Sequence, residues 1–484
     1  MARTRQVPLL VGSYSTQSVI ASAQRCVNLY MEGNPRDSKF PTTHYLTPGL
    51  TLAGAQASPT GGWRQMFVTS AGQLLGVNGS QVCNITGTPG AGGLTSTPIG
   101  SINSLSGCAS IADNGTNAIV VDGSPTGAWV NLETLDLTPV NDPAFYGSTR
   151  ADEVDGYFVL NMPQSREFYI SLFQQNAFDS LDFASKNGYS DPLGAAMVTR
   201  RNIYLFGQQT TEVWYNTGAA NFTFARIDGI FIQHGCAAPG SLAQMDGSIF
   251  FLTLDPQGAA MVMRTQGFEA MKISTFALDF ALQQYGTISD AVGYTYQRNG
   301  HMFYVLSFPT ADATWVYDLA TGQWHEWVSI DSNGQEHRHR AGAMAYWNGA
   351  HICGDYANGN LYILDGNNAT ENGSPIVRRR GFPHMMDGGN RVFHRQFIAD
   401  FAVGSPQSTY VPGDTDVFLR WSDNKGQSYG NPIRQTFGDL GHYLTQVQWQ
   451  RLGIARDRVF ELFWSNPNIT ALNGAFVESV PADT

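Results

Sequence analysis

Between Pro192 and Ser274 the order of apolar and polar positions repeats itself. Ala195-Ala-Met-Val-Thr199 leads through Arg200-Arg201 into Asn202-Ile-Tyr-Leu-Phe-Gly207, and then into Thr211-Glu-Val-Trp-Tyr-Asn216. Gly240-Ser-Leu-Ala-Gln244 leads in the same way through Asp246-Gly247 into Ser248-Ile-Phe-Phe-Leu-Thr253, and then into Ala259-Ala-Met-Val-Met-Arg264. The apolar runs are too short for helices and rich in aromatic and β-branched residues, which predicts strands. Gly and Asp at the turns supply the backbone conformations that tight hairpins require. The same unit recurs five more times, with middle strands at Gln73–Asn78, Asn117–Asp122, Gly156–Asn161, His301–Leu306 and Ala350–Asp355. Successive middle strands begin at 73, 117, 156, 202, 248, 301 and 350. Units of about 40 to 50 residues built from several short strands predict a β-propeller, here of about seven blades.

The rest of the chain departs from that period. Residues 1–60 form no repeat; Arg25–Glu32 reads as one strand, and the region is placed either to wrap the propeller or to supply a strand that closes its ring. Leu278, Leu282 and Tyr285 recur at helical spacing, predicting a short helix between two blades. Gly366–Pro375 has the composition of a linker. Beyond it, Val417–Trp421, Gln446–Trp449 and Val459–Trp464 alternate or run apolar as sandwich strands do. The expected fold class is all-β: an extended segment over 1–60, a propeller over 61–375 and a C-terminal β-sandwich-like domain over 376–484.

Charge sharpens this division. The 484 residues carry a net −11, distributed as +3 over residues 1–60, −15 over 61–375 and +1 over 376–484. Tight DNA binding requires cations that neutralise phosphates, so the acidic body is unsuited to gripping DNA and suited to letting it slide past. No run approaches the roughly 18 apolar residues of a membrane helix, and the start of the chain carries no signal-peptide pattern. Cys26, Cys83, Cys108, Cys236 and Cys353 are scattered and odd in number, as expected of reduced, mostly buried thiols in a protein made in the cytoplasm.

Cations gather after the linker, at Arg378, Arg379, Arg380, Arg391 and Arg395. Of the 28 basic residues only four are lysines, and arginine is the cation favoured at interfaces because its planar fork holds carboxylates bidentately. These five arginines are therefore the candidate contact surface for an acidic partner, a neighbouring copy above all. Other candidate chemistry is thin. His337 and His339 share a face if they lie on a strand, but a metal site needs further ligands and a fixed surrounding shell. Ser422-Asp-Asn-Lys-Gly-Gln-Ser-Tyr429 is a degenerate copy of the Asp-box turn of sialidases. Nucleotide-binding loops and the nucleophile elbow are missing, so no catalytic, cofactor-binding or metal residue is assigned.

Several segments together resemble the packaged-DNA stabilisation proteins of short-tailed bacteriophages, the tail hub or nozzle family. They are Cys26-Val-Asn-Leu-Tyr-Met31 with Tyr45-Leu-Thr-Pro-Gly-Leu-Thr51, Asp191–Gly194 through Asn202–Gly218, Ile232–Ser241 into Asp246–Thr253, Thr314–Asp318 with Gln323-Trp324, Phe418–Gly430, and Trp449–Gly453. The resemblance implies a propeller body and a six-fold ring in the virion tail. That ring would sit below the portal and its head-to-tail adaptor, continue the channel for genomic DNA, help retain the packaged DNA, and carry distal needle, plug or fibre proteins. It brings no catalytic residues and no cofactor. Two other functions remain open: a sialidase-like glycan-cleaving propeller, resting on the Asp-box, and a receptor-binding propeller using aromatics such as Trp214, Trp315 and Trp324.

Overall fold

A computed structural model describes residues 3–402, 413, 415–438, 442 and 444–482. Each predicted middle strand is the second strand of its own blade, and the strands at 202 and 248 belong to two separate four-stranded sheets. Blade 1 spans residues 63–101, blades 2 to 5 span 110–139, 151–185, 193–226 and 243–272, and blade 6 spans 292–326. Each is built from four consecutive antiparallel strands. Seven apolar clusters fill the seven gaps between neighbouring blades. Val159, Phe168 and Ile170 of blade 3, for example, meet Ala196, Ile203 and Leu205 of blade 4. A middle strand therefore has a blade against each face, which explains why runs such as Ala118–Val121 are apolar at every position and fully buried.

Blade 7 shows how the ring closes. It has only three strands of its own, at Ala341–Trp347, Ala350–Asp355 and Asn360–Asp365. Its fourth is Gly49–Gln56, antiparallel to Asn360–Asp365 and parallel to the outer strand of blade 1, Leu94–Ser101. Gly54 has to be glycine at this join, since a Cβ there would lie 2.2 Å from the Leu94 carbonyl oxygen. The expected helix lies between blades 5 and 6 as Phe276–Gln283, with the Thr275 side chain capping its first turn by accepting from the Leu278 N–H.

The C-terminal β-sandwich uses much of the remaining N-terminal segment. One sheet runs in the order Val447–Ala455, Val392–Ala402, Ala471–Pro481, Thr42–Leu46, Leu29–Gly33, with Arg3–Val7 also beside Ala471–Pro481. The other continues from blade 6: its outer strand Gln323–Glu326 pairs with Cys26–Val27, then come Arg378–Gly381, Asp457–Trp464, Asp416–Ser422 and Ile433–Thr436. Trp449, Trp464, Phe397 and Phe460 fill the space between the sheets. The single strand expected over Arg25–Glu32 is thus two strands in two sheets. Asn28, at φ 54°, breaks them and stitches the seam, donating to the Val328 and Val377 carbonyls at 2.8 Å and accepting from the Val328 N–H at 3.0 Å.

Candidate interaction surfaces

The strand Arg378–Gly381 divides the arginine triplet. Side chains alternate along a strand, so Arg378 and Arg380 point inward and are fully buried. Arg378 donates to the carbonyls of Asn466 and Ala369, both at 2.6 Å, with no carboxylate partner among the described residues, and burial pushes its pKa down to about 9. Arg380 donates to the carbonyls of Gly381 and Val11, at 2.9 and 2.8 Å. Burial and then the charge of Arg380 hold His44, whose ring nitrogens are both unpartnered, well below its ordinary pKa. Arg379 points the other way, 2.8 Å from Glu336 and 3.5 Å from Glu461. The contact surface expected at 378–380 is therefore corrected: Arg378 and Arg380 are spent on carbonyls within the chain, and Arg379 on its own acids.

Arg391 and Arg395 are exposed, on and beside the strand Val392–Ala402 of the first sandwich sheet. Its neighbour, Val447–Ala455, adds two exposed arginines, Arg451 within it and Arg456 just beyond it. Arg395 and Arg451 sit where the register shifts between His394 and Gln396, and Arg456 donates to the Gly389 carbonyl beside Arg391. Phe393 is paired with Ile454 on one side and Val480 on the other. Cross-strand partners share a face, so these three form an apolar row among the arginines, with Ile454 52% exposed. Glu478, 3.7 Å from Arg395, is the acid nearest to it. Arg451 and Arg456 lie about 60 residues from the basic segment in sequence, and only the pairing of the two strands brings them together.

The rim of the propeller at blade 3 has the opposite charge. Between Arg166 and Lys186 there is no cation, and Lys186 is buried against Asp191. Asp179 and Asp182 lie in this interval, on the outer strand of blade 3, Phe178–Ser185. Burial and then Asp179 raise the pKa of Asp182, as expected for acids with no cation beside them. Tyr169 pairs with Phe183 and Ser171 with Phe178, so residues 179–182 bulge out of the ladder. The bulge exposes Leu181 to 79%, and Phe183, paired just beyond it, is 42% exposed.

The inner strands of the other six blades, with Thr149 and Arg150 just before that of blade 3, line a cavity of about 360 Å³ on the propeller axis, with Arg64, Met197, Leu242 and Tyr294 also in its wall. Arg64 is committed to the loop over residues 104–108, where it donates to the Ser104, Ser106, Gly107 and Cys108 carbonyls. A cavity of this volume suits a small molecule. A duplex, whose major groove alone is about 12 Å wide, does not fit along it.

The other sequence candidates separate. His337 is half-buried and 2.7 Å from Asp312, whereas His339 lies past the end of its strand, buried against the Trp327 ring. The two share no face, and among the described residues no three His, Cys, Asp or Glu side chains are grouped to hold a metal ion. The Asp-box-like turn closes a hairpin of the sandwich, outside the blades: Ser422 Oγ accepts from the Gly426 N–H, and Asn424 Oδ1 accepts from the Ser428 N–H. All five cysteines are free thiols, four of them buried. No helix among the described residues is long and apolar enough to cross a membrane.

Comparison with known proteins gives two family matches. A model described as "Bacteriophage P22 Gp10, beta-propeller" matches residues 5–369, and one described as "Bacteriophage P22 Gp10, beta-sandwich" matches residues 378–479. A search of curated proteins finds no match. Similar solved structures include the WD40 propeller domain of Doa1, at 11% identity and TM-score 0.41 over 65% of this chain and 97% of that one. The WD40 repeats of RRP9 match at 8% identity and TM-score 0.41 over 66% and 99%. At such scores these two carry no argument, and the blade count rests on the strand pairing above.

Proposed function

The chain belongs to the bacteriophage P22 Gp10 family of tail hub and DNA-stabilisation proteins, and on that premise we propose that this phage tail structural protein works as a closed ring of six copies. The ring continues the DNA channel below the portal and adaptor, helps retain the packaged genome, and carries the distal needle, plug or fibre proteins. In this reading residues 61–375 are the channel body, 376–484 a second unit, and 1–60 the strap between them. The protein is made in the host cytoplasm, assembles in the virion tail and catalyses no reaction.

The observation that carries the reading is the axial cavity of the propeller. It is too small for a duplex, so a protein that conducts DNA must do so between copies. The propeller's net charge of −15 supports a channel wall that does not hold phosphates. Contacts between unlike surfaces of identical copies close into rings or run on as filaments, and a hub requires the ring. Imaging of assembled tails is expected to show rings with a central hole. One isolated copy per tail would overturn the reading.

A further inference from the structure

The outer edges of the blades are not protected alike. A free strand edge is a template for pairing, and folded proteins keep such edges short or cover them. The outer strands of blades 2, 4 and 5 have three or four residues, at Leu137–Pro139, Phe224–Arg226 and Glu269–Lys272. Those of blades 1, 6 and 7 are paired on their outer sides, with Gly49–Gln56, Cys26–Val27 and, for blade 7, the outer strand of blade 1. Blade 3 alone combines an eight-residue outer strand, no strand partner on its far side among the described residues, and an extruded Leu181 flanked by Asp179 and Asp182.

The sandwich carries the complement at the opposite end of the molecule. It joins the propeller at blades 6 and 7, about half a turn of a seven-bladed ring from blade 3. Within its first sheet, Val447–Ala455 is the edge strand farthest from the one that packs on blade 6, Leu29–Gly33. That far edge holds the apolar row Ile454, Phe393 and Val480 and the exposed Arg391, Arg395, Arg451 and Arg456.

We propose that the far edge of the sandwich of one copy docks on the blade 3 rim of the next, with Ile454 and Phe393 against Leu181 and Phe183 and the four arginines around Asp179 and Asp182. This rests on the ring reading above and supplies its subunit contact. The two surfaces lie on opposite sides of the molecule, so a copy cannot satisfy both with a single neighbour, and the contact propagates head to tail until it closes. Apolar groups at the centre with opposite charges at the margin is the usual anatomy of a specific interface, and the charges set its register and encounter rate.

The test uses whole tails assembled with Leu181→Cys, Ile454→Cys, or both changes in one chain, then oxidised. Both positions are exposed in the single chain, so neither change disturbs its core. The expected result is a ladder of disulfide-linked multimers of this chain from the doubly changed protein only, and weaker incorporation for Arg391→Glu with Arg395→Glu, most marked at low salt, where the new repulsion from Asp179 and Asp182 is least screened. Rings in images of the doubly changed tails without a ladder would overturn the proposed contact while leaving the ring intact. Disulfides from position 181 to a different tail protein would do the same and identify the true occupant. Isolated copies instead of rings would remove the ring reading itself.

Discussion

Blade 3 and the seam beside blade 6 are both four-stranded at their simplest, yet they are stabilised by opposite means. Blade 3 folds from one continuous stretch, and its faces bury Phe158, Val159, Leu160 and Phe168 with no charge among them. The seam gathers residues 26–27, 323–326, 378–381 and 457–464, and buries Arg378, Arg380 and Arg458. Of these, Arg458 has a carboxylate, Asp423, 2.6 Å away, while among the described residues Arg378 and Arg380 have only carbonyls. The difference follows from how chain ends meet. Hairpins satisfy their own backbone groups. Segments that arrive from distant parts of the chain leave loop carbonyls such as Ala369, Asn466 and Val11 facing inward, and a long cation with several donors can reach them.

The largest effect expected from this comparison comes from the N-terminal strap. Deleting residues 1–56 removes the fourth strand of blade 7 and, with Arg3–Val7, Cys26–Val27, Leu29–Gly33 and Thr42–Leu46, four strands of the seam and sandwich. The propeller then has an open last blade and a bare edge on Asn360–Asp365. Near-ultraviolet circular dichroism should lose its native signal, and protease should digest the whole chain. A protease-resistant fragment covering residues 61–365 would show that the blades hold without the strap.

A smaller effect separates the two regions by acid. Burial lowers the pKa of His325 in blade 6 to about 4, of His339 before blade 7 to about 3, and of His394 in the sandwich to about 4. Unfolded, each takes up a proton near pH 6.5. Between that pH and the folded value the unfolded chain binds more protons, so stability is full above about pH 6.5 and falls as the pH drops through the window. His301, raised first by its hydrogen bond to Asp318, works in the reverse direction and loses its contribution as the pH rises through its folded pKa. Replacing His325 by Leu should leave stability at pH 8 within about 1.5 kcal/mol. It should recover about 3 kcal/mol of the loss seen at pH 4. Urea titrations at the two pH values measure both numbers, and an unchanged acid loss would remove His325 from the account.

The sequence exposes the blades and hides the seam for the same physical reason. Asn202–Gly207 and Ser248–Leu254 announce themselves because turn, apolar run and turn lie within a few residues of each other. The helix at Phe276–Gln283 and the strand at Asp457–Trp464 are legible on the same terms. Cys26–Val27 has two residues and partners at Glu326 and Arg379, about 300 and 350 positions away, so no local period reveals it. Arg378-Arg379-Arg380 looks solvated as a charge run. The signal against that reading was its flanks, Ile376-Val377 and Gly381-Phe382, since an apolar setting on both sides suits a buried strand. Arg391 and Arg395 stand out in the sequence as part of a basic segment, but Arg451 and Arg456 do not, because their place beside it exists only through strand register.

The smallest expected effect lies within the triplet itself, where adjacent arginines face opposite environments. Replacing Arg378 by Met removes hydrogen bonds from a charged group to two carbonyls, worth about 1.5 to 3 kcal/mol each. It also removes the desolvation of an ion that has no counter-charge, a cost of several kcal/mol, and Met fills much of the space left. The terms oppose each other, so the net change should stay within about 1.5 kcal/mol and should not depend on salt. Replacing Arg379 by Met is also mild, for a different reason: Glu461 keeps Arg420 at 2.5 Å and Glu336 keeps Arg25 at 3.0 Å. That change should respond to salt, because the remaining pairs are partly exposed. Replacing Arg378 by Lys should be the most damaging of the three, since a single ammonium keeps the buried charge and cannot span both carbonyls. Denaturant midpoints at low and high salt give the order. If Met at 378 proved worse than Lys, the charge of Arg378 would be what holds the seam, and the contrast drawn here between carbonyl-capping arginines and apolar blades would fail.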